Sequence, residues 1–191
     1  MIGFDPCGHM PPLETERLLL RRLNMHDAKD IFEYSRDPEV ARHVLWEAQR
    51  SIGDARAYLR YMIRRYRQNE PASWGIELKS TGKIIGTIGF MWIQSDNAAA
   101  EVGYSLARSQ WNRGIMTEAL RAVLGYGFST LRLNRIEAMH EVDNPASGAV
   151  MRKCGMLHEG TLREKLMNKG RYVDVDLYAA LRRDFTRQAI R

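Results

Sequence analysis

The 191 residues, 45% hydrophobic and 27% charged, suit one ordinary domain and exclude a disordered tail protein. No run of eighteen apolar residues exists, and residues 1–12 lack the basic start and apolar block of a secretory signal, so neither a membrane span nor export is expected. Lys and Arg number 29 against 23 Asp and Glu, a net charge of +6, which suits a polyanion (nucleic acid, ribosome or a phosphate-rich cofactor) without choosing among them. Cys7 and Cys154 stand far apart with no CxxC spacing. A disulfide framework and a zinc site are therefore not expected, no other metal site is read, and a reducing, cytoplasmic home is the default.

Met1 to Pro12 is rich in Pro and Gly and reads as a loose arm ahead of a single domain over 13–185, with 186–191 as a tail. Leu18 to Leu23 is a first strand; Asp27 is placed to cap a short helix through Tyr34, and Asp37-Pro38 begins another. Over Ser51–Gln68, Ile52, Ala55, Leu59, Met62, Ile63 and Tyr66 recur every three or four residues, the buried stripe of an amphipathic helix. Arg56, Arg60 and Arg64 line its other side, as a solvated face or, less ordinarily, a nucleic-acid stripe. Ser73–Leu78 and Lys83–Met91 form strands around the turn Ser80-Thr81-Gly82, and Ala99–Leu106 is the next strand. Gly114–Phe128 is helical, with Met116, Leu120, Val123 and Leu124 on one side.

In Arg135–Val142, Ile136, Ala138, His140 and Val142 point one way and Glu137 and Glu141 the other. Asn144-Pro145 opens a helix that Cys154-Gly155 closes. Met156–Leu166 and Tyr172–Leu181 follow as strands around Asn168-Lys169-Gly170; in the second, Val173, Val175, Leu177 and Ala179 alternate with Asp174, Asp176 and Tyr178. The expected fold is therefore α/β (α+β), a mixed sheet with helices on its faces.

The densest chemical signal is Trp111-Asn112-Arg113-Gly114-Ile115-Met116-Thr117-Glu118-Ala119, between a strand and a helix. A glycine lets the backbone approach a ligand, the helix start leaves N–H groups free, and Arg113 adds a guanidinium fork. Such a site wants a diphosphate. It is not a Walker loop, lacking Gly-Lys-Ser/Thr, nor a dinucleotide fingerprint, having one glycine.

This stretch resembles the acetyl-CoA loop of the GNAT N-acetyltransferase superfamily, Gln/Arg-x-x-Gly-x-Gly/Ala, with Gly114 matching, Trp111 at the Gln/Arg position and Met116 at the second small one. Both replacements resemble the Rim-type branch, which acetylates protein N-termini. Leu13 to Arg21 is similar to that branch's opening strand, Ala100-Glu101-Val102-Gly103-Tyr104 to its central strand, and Asn144-Pro145-Ala146-Ser147 to its Asn-x-x-Ser helix. The resemblance runs from Leu13 to about Leu181. It implies the GNAT fold, with a mostly antiparallel sheet, and acetyl-CoA as cosubstrate. It implies that Gly114, Met116 and Thr117, helped by Arg113, hold the pyrophosphate. Tyr104 and Leu106 would pair their backbones with the pantetheine arm, Asn144 would bond it, and Ser147 would sit near the sulfur.

Acetyl transfer needs an amine to lose a proton, attack the thioester and expel a thiolate. An α-amino group, with a pKa of about 7.7–8.0 against about 10.4 for Lys, needs only a modest base. Glu101 stands where several family members carry that base; its alternative role is a structural strand glutamate. The Leu106 N–H is the expected oxyanion donor. The tyrosine that much of the superfamily carries seven residues after the Asn is Met151 here, so Ser147 is the acid candidate, or else a hydroxyl that only holds cofactor or backbone. By spacing, the Rim-type glutamate of the following strand falls at Leu166, which leaves Glu101 as base.

His140 reads as a packed strand histidine ahead of a catalytic one, and Cys154 as a small buried hydrophobe. Trp46, Trp74 and Trp92 read as core or cleft walls, and Asp174 and Asp176 as solvated or lining the acceptor groove.

The leading expectation is direct transfer to a protein or peptide N-terminus of ribosomal type, by a monomer or homodimer that meets nucleic acid only through the ribosome and no membrane. The alternatives are a small-amine acetyltransferase (antibiotic, polyamine or amino-acid analogue), a basic nucleic-acid or ribosome-binding module, and a non-catalytic acyl-CoA sensor.

Overall fold

The computed structural model describes residues 10–189, with side chains to Phe185. Eight strands make one sheet: β1 (Leu13–Glu14), β2 (Leu18–Arg21), β3 (Ser73–Leu78), β4 (Lys83–Gln94), β5 (Ala99–Leu106), β6 (Arg135–Glu141), β7 (Leu157–Asn168) and β8 (Arg171–Leu181). Their order across the sheet is β1-β2-β3-β4-β5-β6-β8-β7. Every pairing is antiparallel except β5 with β6, which is parallel and covers only Ala99↔Arg135, Ala100↔Ile136 and Glu101↔Glu137. Beyond Glu101, β5 runs on to Leu106 beside β4 while β6 follows β8 to Glu141, so the two strands part in the middle of the sheet.

The helices are α1 (Ala28–Ser35), α2 (Pro38–Ala41), α3 (Ile52–Arg67), α4 (Ile115–Ser129), α5 (Pro145–Lys153) and α6 (Arg182–Ala189). Three of the starts have a local side-chain cause. Ser51 and Asp54 form a capping box at α3, Asp37 with Pro38 starts α2, and Asn144 with Pro145 starts α5. On α3 the expected stripe is inward, with Ala55, Leu59, Met62 and Tyr66 buried, and Arg56, Arg60 and Arg64 are exposed. α3 and α1 cover one face, where the Tyr66 hydroxyl accepts from the Leu23 N–H at 3.1 Å. α4 and α5 cover the other, where Tyr126 meets Trp74 edge-on at 5.6 Å and Trp74 meets Phe90 at 6.2 Å.

The structure differs from the sequence reading at several points. Residues 13–21 form a two-strand hairpin, because Thr15 turns back and its N–H donates to the Leu18 carbonyl at 3.0 Å. Asp27 does not cap α1. Its carboxylate accepts from the Asn24 N–H at 2.8 Å and from Arg21 at 2.8 and 3.0 Å, closing the capping box of a 3₁₀ turn at Met25–Asp27. The alternation of β6 holds, with His140 and Glu141 on opposite faces, but Glu141 is buried and Val142 exposed, because side chains from two other segments surround the glutamate. Tyr178 is buried too, with its ring against those of His140 and His158. α6 crosses the boundary drawn at residue 185. Of the arm, Met10 is buried and the Pro11 carbonyl accepts from the Trp74 indole at 2.8 Å; Met1 to His9, including Cys7, lie outside the described residues.

Candidate active site

The gap between β5 and β6 is the centre of the site. The Ala107 N–H donates to the Ile85 carbonyl at 2.7 Å, which makes 107 and 85 a hydrogen-bonded pair. In an antiparallel ladder the bonded pairs alternate, so Ser105 and Gly103 also face β4 through their backbones, whereas Tyr104 and Leu106 turn theirs away from β4 into the gap. The Leu106 carbonyl accepts from the Trp111 indole at 2.8 Å. Trp111, read from sequence as a loop residue, thus takes up that carbonyl and leaves the Leu106 N–H and both Tyr104 groups directed into the gap.

At the end of β5 the chain turns into α4 through Gly114, at φ 73°, a left-handed conformation that glycine adopts without strain. The first helical bond runs from the Glu118 N–H to the Gly114 carbonyl at 3.0 Å, so the N–H groups of Ile115, Met116 and Thr117 project from the helix end with its positive dipole. The side chain of Met116 is buried; Arg113 and Gly114 are exposed. Beside them lies a residue that the sequence reading passed over. Arg17 donates from its backbone N–H (2.9 Å) and Nε (2.6 Å) to Glu118 and from one terminal nitrogen to the Arg113 carbonyl (2.9 Å). Its other terminal nitrogen lies 3.6 Å from where a Cβ on Gly114 would stand. Burial raises the Glu118 carboxyl, but hydrogen bonds from Thr15 and Arg17 outweigh it and hold the group below its ordinary pKa. The only sequence signal was a Thr-x-Arg in an opening strand a hundred residues away.

α5 lies across the gap from β5. The Asn144 side chain accepts from the Ser147 N–H at 3.4 Å, and Ser147 is half-buried. The Tyr104 hydroxyl reaches over from β5 to within 2.8 Å of Ser147 Oγ and 3.2 Å of its carbonyl oxygen. Met151, at the superfamily's tyrosine position, is buried in the core. His140 is buried beneath Gly148, its Nδ1 against the Glu141 carbonyl at 2.7 Å and its Nε2 without a hydrogen-bond partner among the described residues. Asp176 pairs with His140 in the ladder, bonds Thr161 at 2.6 Å and His158 at 3.2 Å, and so lies on the α5 side of the sheet.

Glu101 is three residues before Tyr104 and so points to the opposite face, that of α1 and α3. It accepts from the Trp92 indole at 2.6 Å. Burial raises its pKa; the Trp92 bond pulls the other way, and neighbouring Glu137 adds to the rise. Glu137 itself is neutralised by Arg135 at 2.9 Å, and Arg135 also grips Glu159 at 2.6 Å. Trp92 is therefore half-buried and tied to Glu101, while Trp74 is fully buried in the core. Of the expected site residues, Tyr104, Leu106, Trp111, Arg113, Gly114, Met116, Thr117, Asn144 and Ser147 line the gap or its ends, and Glu101 stands on the other face of β5.

Further along that face, Glu141 joins three segments. Its carboxylate accepts from His43 Nδ1 at 2.8 Å and from Asn168 Nδ2, with Arg171 at 3.5 Å. Lys169 donates to the Ala41 and Val44 carbonyls at 3.0 and 2.6 Å. The loop after α2 is thus fastened to the β7–β8 turn, and both to the end of β6. Burial raises the Glu141 carboxyl, yet the His43 and Asn168 bonds and Arg171 bring it below its ordinary pKa.

The model of the acetyltransferase (GNAT) domain family matches residues 17–157. The chain belongs to the GNAT acetyltransferase family. Acetyl-CoA is the acyl donor of GNAT enzymes, and the mixed, mostly antiparallel sheet is that of solved GNAT structures. This GNAT chain is 35% identical over 176 residues to the uncharacterized N-acetyltransferase p20 of Bacillus licheniformis, covering 92% of this chain and 99% of that one. It is 28% identical over 194 residues to the [ribosomal protein uS5]-alanine N-acetyltransferase of Escherichia coli, covering 97% and 98%. A GNAT-family acetyltransferase structure from Bacillus anthracis superposes with a TM-score of 0.81 at 26% identity, over 91% of this chain and 99% of that one. Among the described residues no helix is long and apolar enough to cross a membrane, and no group of His, Cys, Asp and Glu is arranged to hold a metal.

Proposed function

We propose that this GNAT enzyme acetylates the N-terminal amine of a protein or peptide by direct transfer from acetyl-CoA. One observation carries the proposal: β5 turns backbone groups into the gap toward α5 while presenting Glu101 on its other face, so donor and acceptor can meet at one strand from opposite sides. The projecting N–H groups of Met116 and Thr117, with Arg113 and Arg17 beside them, would take the pyrophosphate. Tyr104 and Leu106 would pair with the pantetheine arm, and Asn144 would hold it. Glu101 would remove the amine proton, its raised pKa bringing it nearer to the α-amino value of about 7.7–8.0. The free amine then attacks the thioester carbonyl, whose oxygen the Leu106 N–H would receive; the C–N bond forms, the C–S bond breaks, and Ser147 meets the departing sulfur.

The ribosomal type of acceptor has its support in relatives such as the uS5-alanine enzyme. Buried, free Cys154, whose thiol burial pushes up to about 11, suits a reducing cytoplasm. An acceptor panel of peptides with free N-termini, Lys peptides, polyamines and aminoglycosides, followed by release of CoA thiol, tests the reading. N-terminal peptides should turn over fastest. Faster turnover of a small amine overturns the protein acceptor, and acetyl-CoA binding with no turnover on any amine overturns the enzyme.

A further inference from the structure

The position seven residues after Asn144, where a tyrosine could reach the leaving sulfur from α5, holds Met151, whose side chain is 1% exposed and points into the core. α5 therefore supplies no phenol. A phenol arrives from the other side of the gap instead. Tyr104 sends its ring across from β5, and its hydroxyl ends 2.8 Å from Ser147 Oγ and 3.2 Å from the Ser147 carbonyl oxygen. We propose that Tyr104 is a positioning residue for departure of the thiolate: it holds the Ser147 hydroxyl so that its proton is presented to the sulfur.

The two hydroxyls can exchange roles without losing a partner. A carbonyl oxygen only accepts, whereas each hydroxyl both donates and accepts. Before transfer, the Tyr104 O–H donates to the Ser147 carbonyl and Ser147 Oγ–H donates to the phenol oxygen. As the C–S bond breaks, its electron pair goes to sulfur. The Ser147 O–H then turns to the thiolate, and the Tyr104 O–H moves from the carbonyl to Ser147 Oγ. Only rotors turn. Neither hydroxyl is ionised; the nitrogen of the adduct sheds its second proton to solvent as the amide forms, and the thiolate takes up one proton from solvent in return. With Ser147 alone, turning its O–H to the sulfur would leave its half-buried oxygen without the donor that Tyr104 supplies. The neighbouring side chains agree with neutral hydroxyls here: Tyr104 is packed against the core, and burial raises its pKa well beyond the ordinary phenol range. Sequence spacing shows none of this, since residues 104 and 147 meet only through the parting of β5 and β6.

The inference rests on the reading above that the sulfur lies at the first turn of α5. Its test uses CoA itself as probe and needs no acceptor. The thiol pKa of bound CoA is followed by thiolate absorbance across pH, for the wild type, Tyr104→Phe, Ser147→Ala and the double variant. Donation from Ser147 stabilises the thiolate, so Ser147→Ala should raise the bound thiol pKa by about one pH unit, the size of one hydrogen bond to a charged group. Tyr104→Phe should raise it by a part of that, and should add nothing in the Ser147→Ala background, because Tyr104 acts only through Ser147. An equal rise from Tyr104→Phe in both backgrounds, no rise at all, or a loss of CoA affinity in Tyr104→Phe overturns the proposal. If Tyr104→Phe does not fold, 3-fluorotyrosine at position 104 carries the test: it keeps the shape and makes the phenol a stronger donor to Ser147, so it should lower the bound thiol pKa in the wild-type background and not in Ser147→Ala, whereas an unchanged value refutes the role. Failure of wild-type protein to bind CoA is a separate result, and it overturns the acetyl-CoA reading instead.

Discussion

The two sides of β5 are built from different materials. The α4–α5 side, where acetyl-CoA would lie, is made mainly of backbone: N–H groups at the start of α4, the outward-turned peptides of Tyr104 and Leu106, and a capped turn at Asn144. The other side, where an acceptor would lie, is made of side chains drawn from distant segments: Glu101 with Trp92, Glu137 with Arg135, and Glu141 with His43, Asn168 and Arg171. Backbone groups recur whatever side chains surround them, so that side can bind one shared cofactor. A side-chain network is rewritten by a few substitutions, so the other side is free to choose its own amine.

Breaking the backbone side at its turn should have the largest effect. Gly114→Asp puts a carboxylate where a diphosphate would sit, at a φ of 73° that an aspartate tolerates poorly. Acetyl-CoA affinity should fall by more than about a hundredfold, since the carboxylate repels the diphosphate at the helix end and the close approach is lost. Calorimetry on the variant reads this directly, and unchanged affinity would remove the cofactor from this loop.

Glu101→Gln tests the side-chain side at its chemical centre. The amide keeps the Trp92 contact but takes no proton. Acetyl-CoA affinity should hold while turnover drops roughly 10²–10⁴-fold, the usual contribution of a general base. The folded pKa of Glu101 is raised, so the acid limb of wild-type turnover should lie above the ordinary carboxyl value of about 4.3. The deficit of the variant should shrink as pH approaches the amine's own pKa. Near-normal turnover at neutral pH would leave Glu101 a structural glutamate.

Glu141→Gln sharpens the comparison. It leaves the Asn168 contact a partner but removes the charge that His43 and Arg171 face. The KM for the acceptor should rise several-fold with acetyl-CoA affinity nearly unchanged, and stability should fall by about 1.5–3 kcal/mol, the worth of hydrogen bonds to a charged group. The Glu141 carboxyl is depressed in the folded protein, so its stabilisation is present above the unfolded value of about 4.3 and is lost as pH falls through the folded one. The difference in melting temperature between wild type and variant should therefore close in acid. Equal losses of acceptor and acetyl-CoA affinity would show that Glu141 serves the whole fold and not the acceptor rim.

Legibility divided along the same line. The start of α4 and the cap of α5 could be read because their signals are local: a glycine between strand and helix, and an Asn-Pro before an apolar run. The direction of the Tyr104 and Leu106 peptides was implied by the family resemblance alone, and the register of β5 against β4 supplies its cause. The burial of Glu141 could not be read for the opposite reason. An alternating strand sends a glutamate outward by pattern alone, and what buries this one is His43, 98 residues before it, and Asn168, 27 after it. The Trp92 contact of Glu101 depends on a register shift between Phe90 and Trp92 in β4, which alternation cannot register. Arg17 escaped because it reaches α4 across the sheet from the first hairpin.

The smallest expected effect belongs to Asn144, where the two sides meet. Its N–H donates to the Glu141 carbonyl at 2.7 Å, and its side chain accepts from the Ser147 N–H at 3.4 Å. The backbone bond survives any substitution but proline, so Asn144→Ala leaves the tie to Glu141 intact and removes only the cap. That bond is long, so the stability lost should fall near the usual capping value of about 1 kcal/mol or below it. A second loss should appear if the side chain also holds the pantetheine: a further drop in acetyl-CoA affinity of about fivefold, the worth of one ordinary hydrogen bond. Melting and calorimetry on the same preparation separate the two. Lower melting with wild-type affinity would make Asn144 a cap alone, and would move the hold on the pantetheine to the backbone of Tyr104 and Leu106. Lower affinity with unchanged melting would show that the amide turns from Ser147 to the cofactor and that the helix start does not need it.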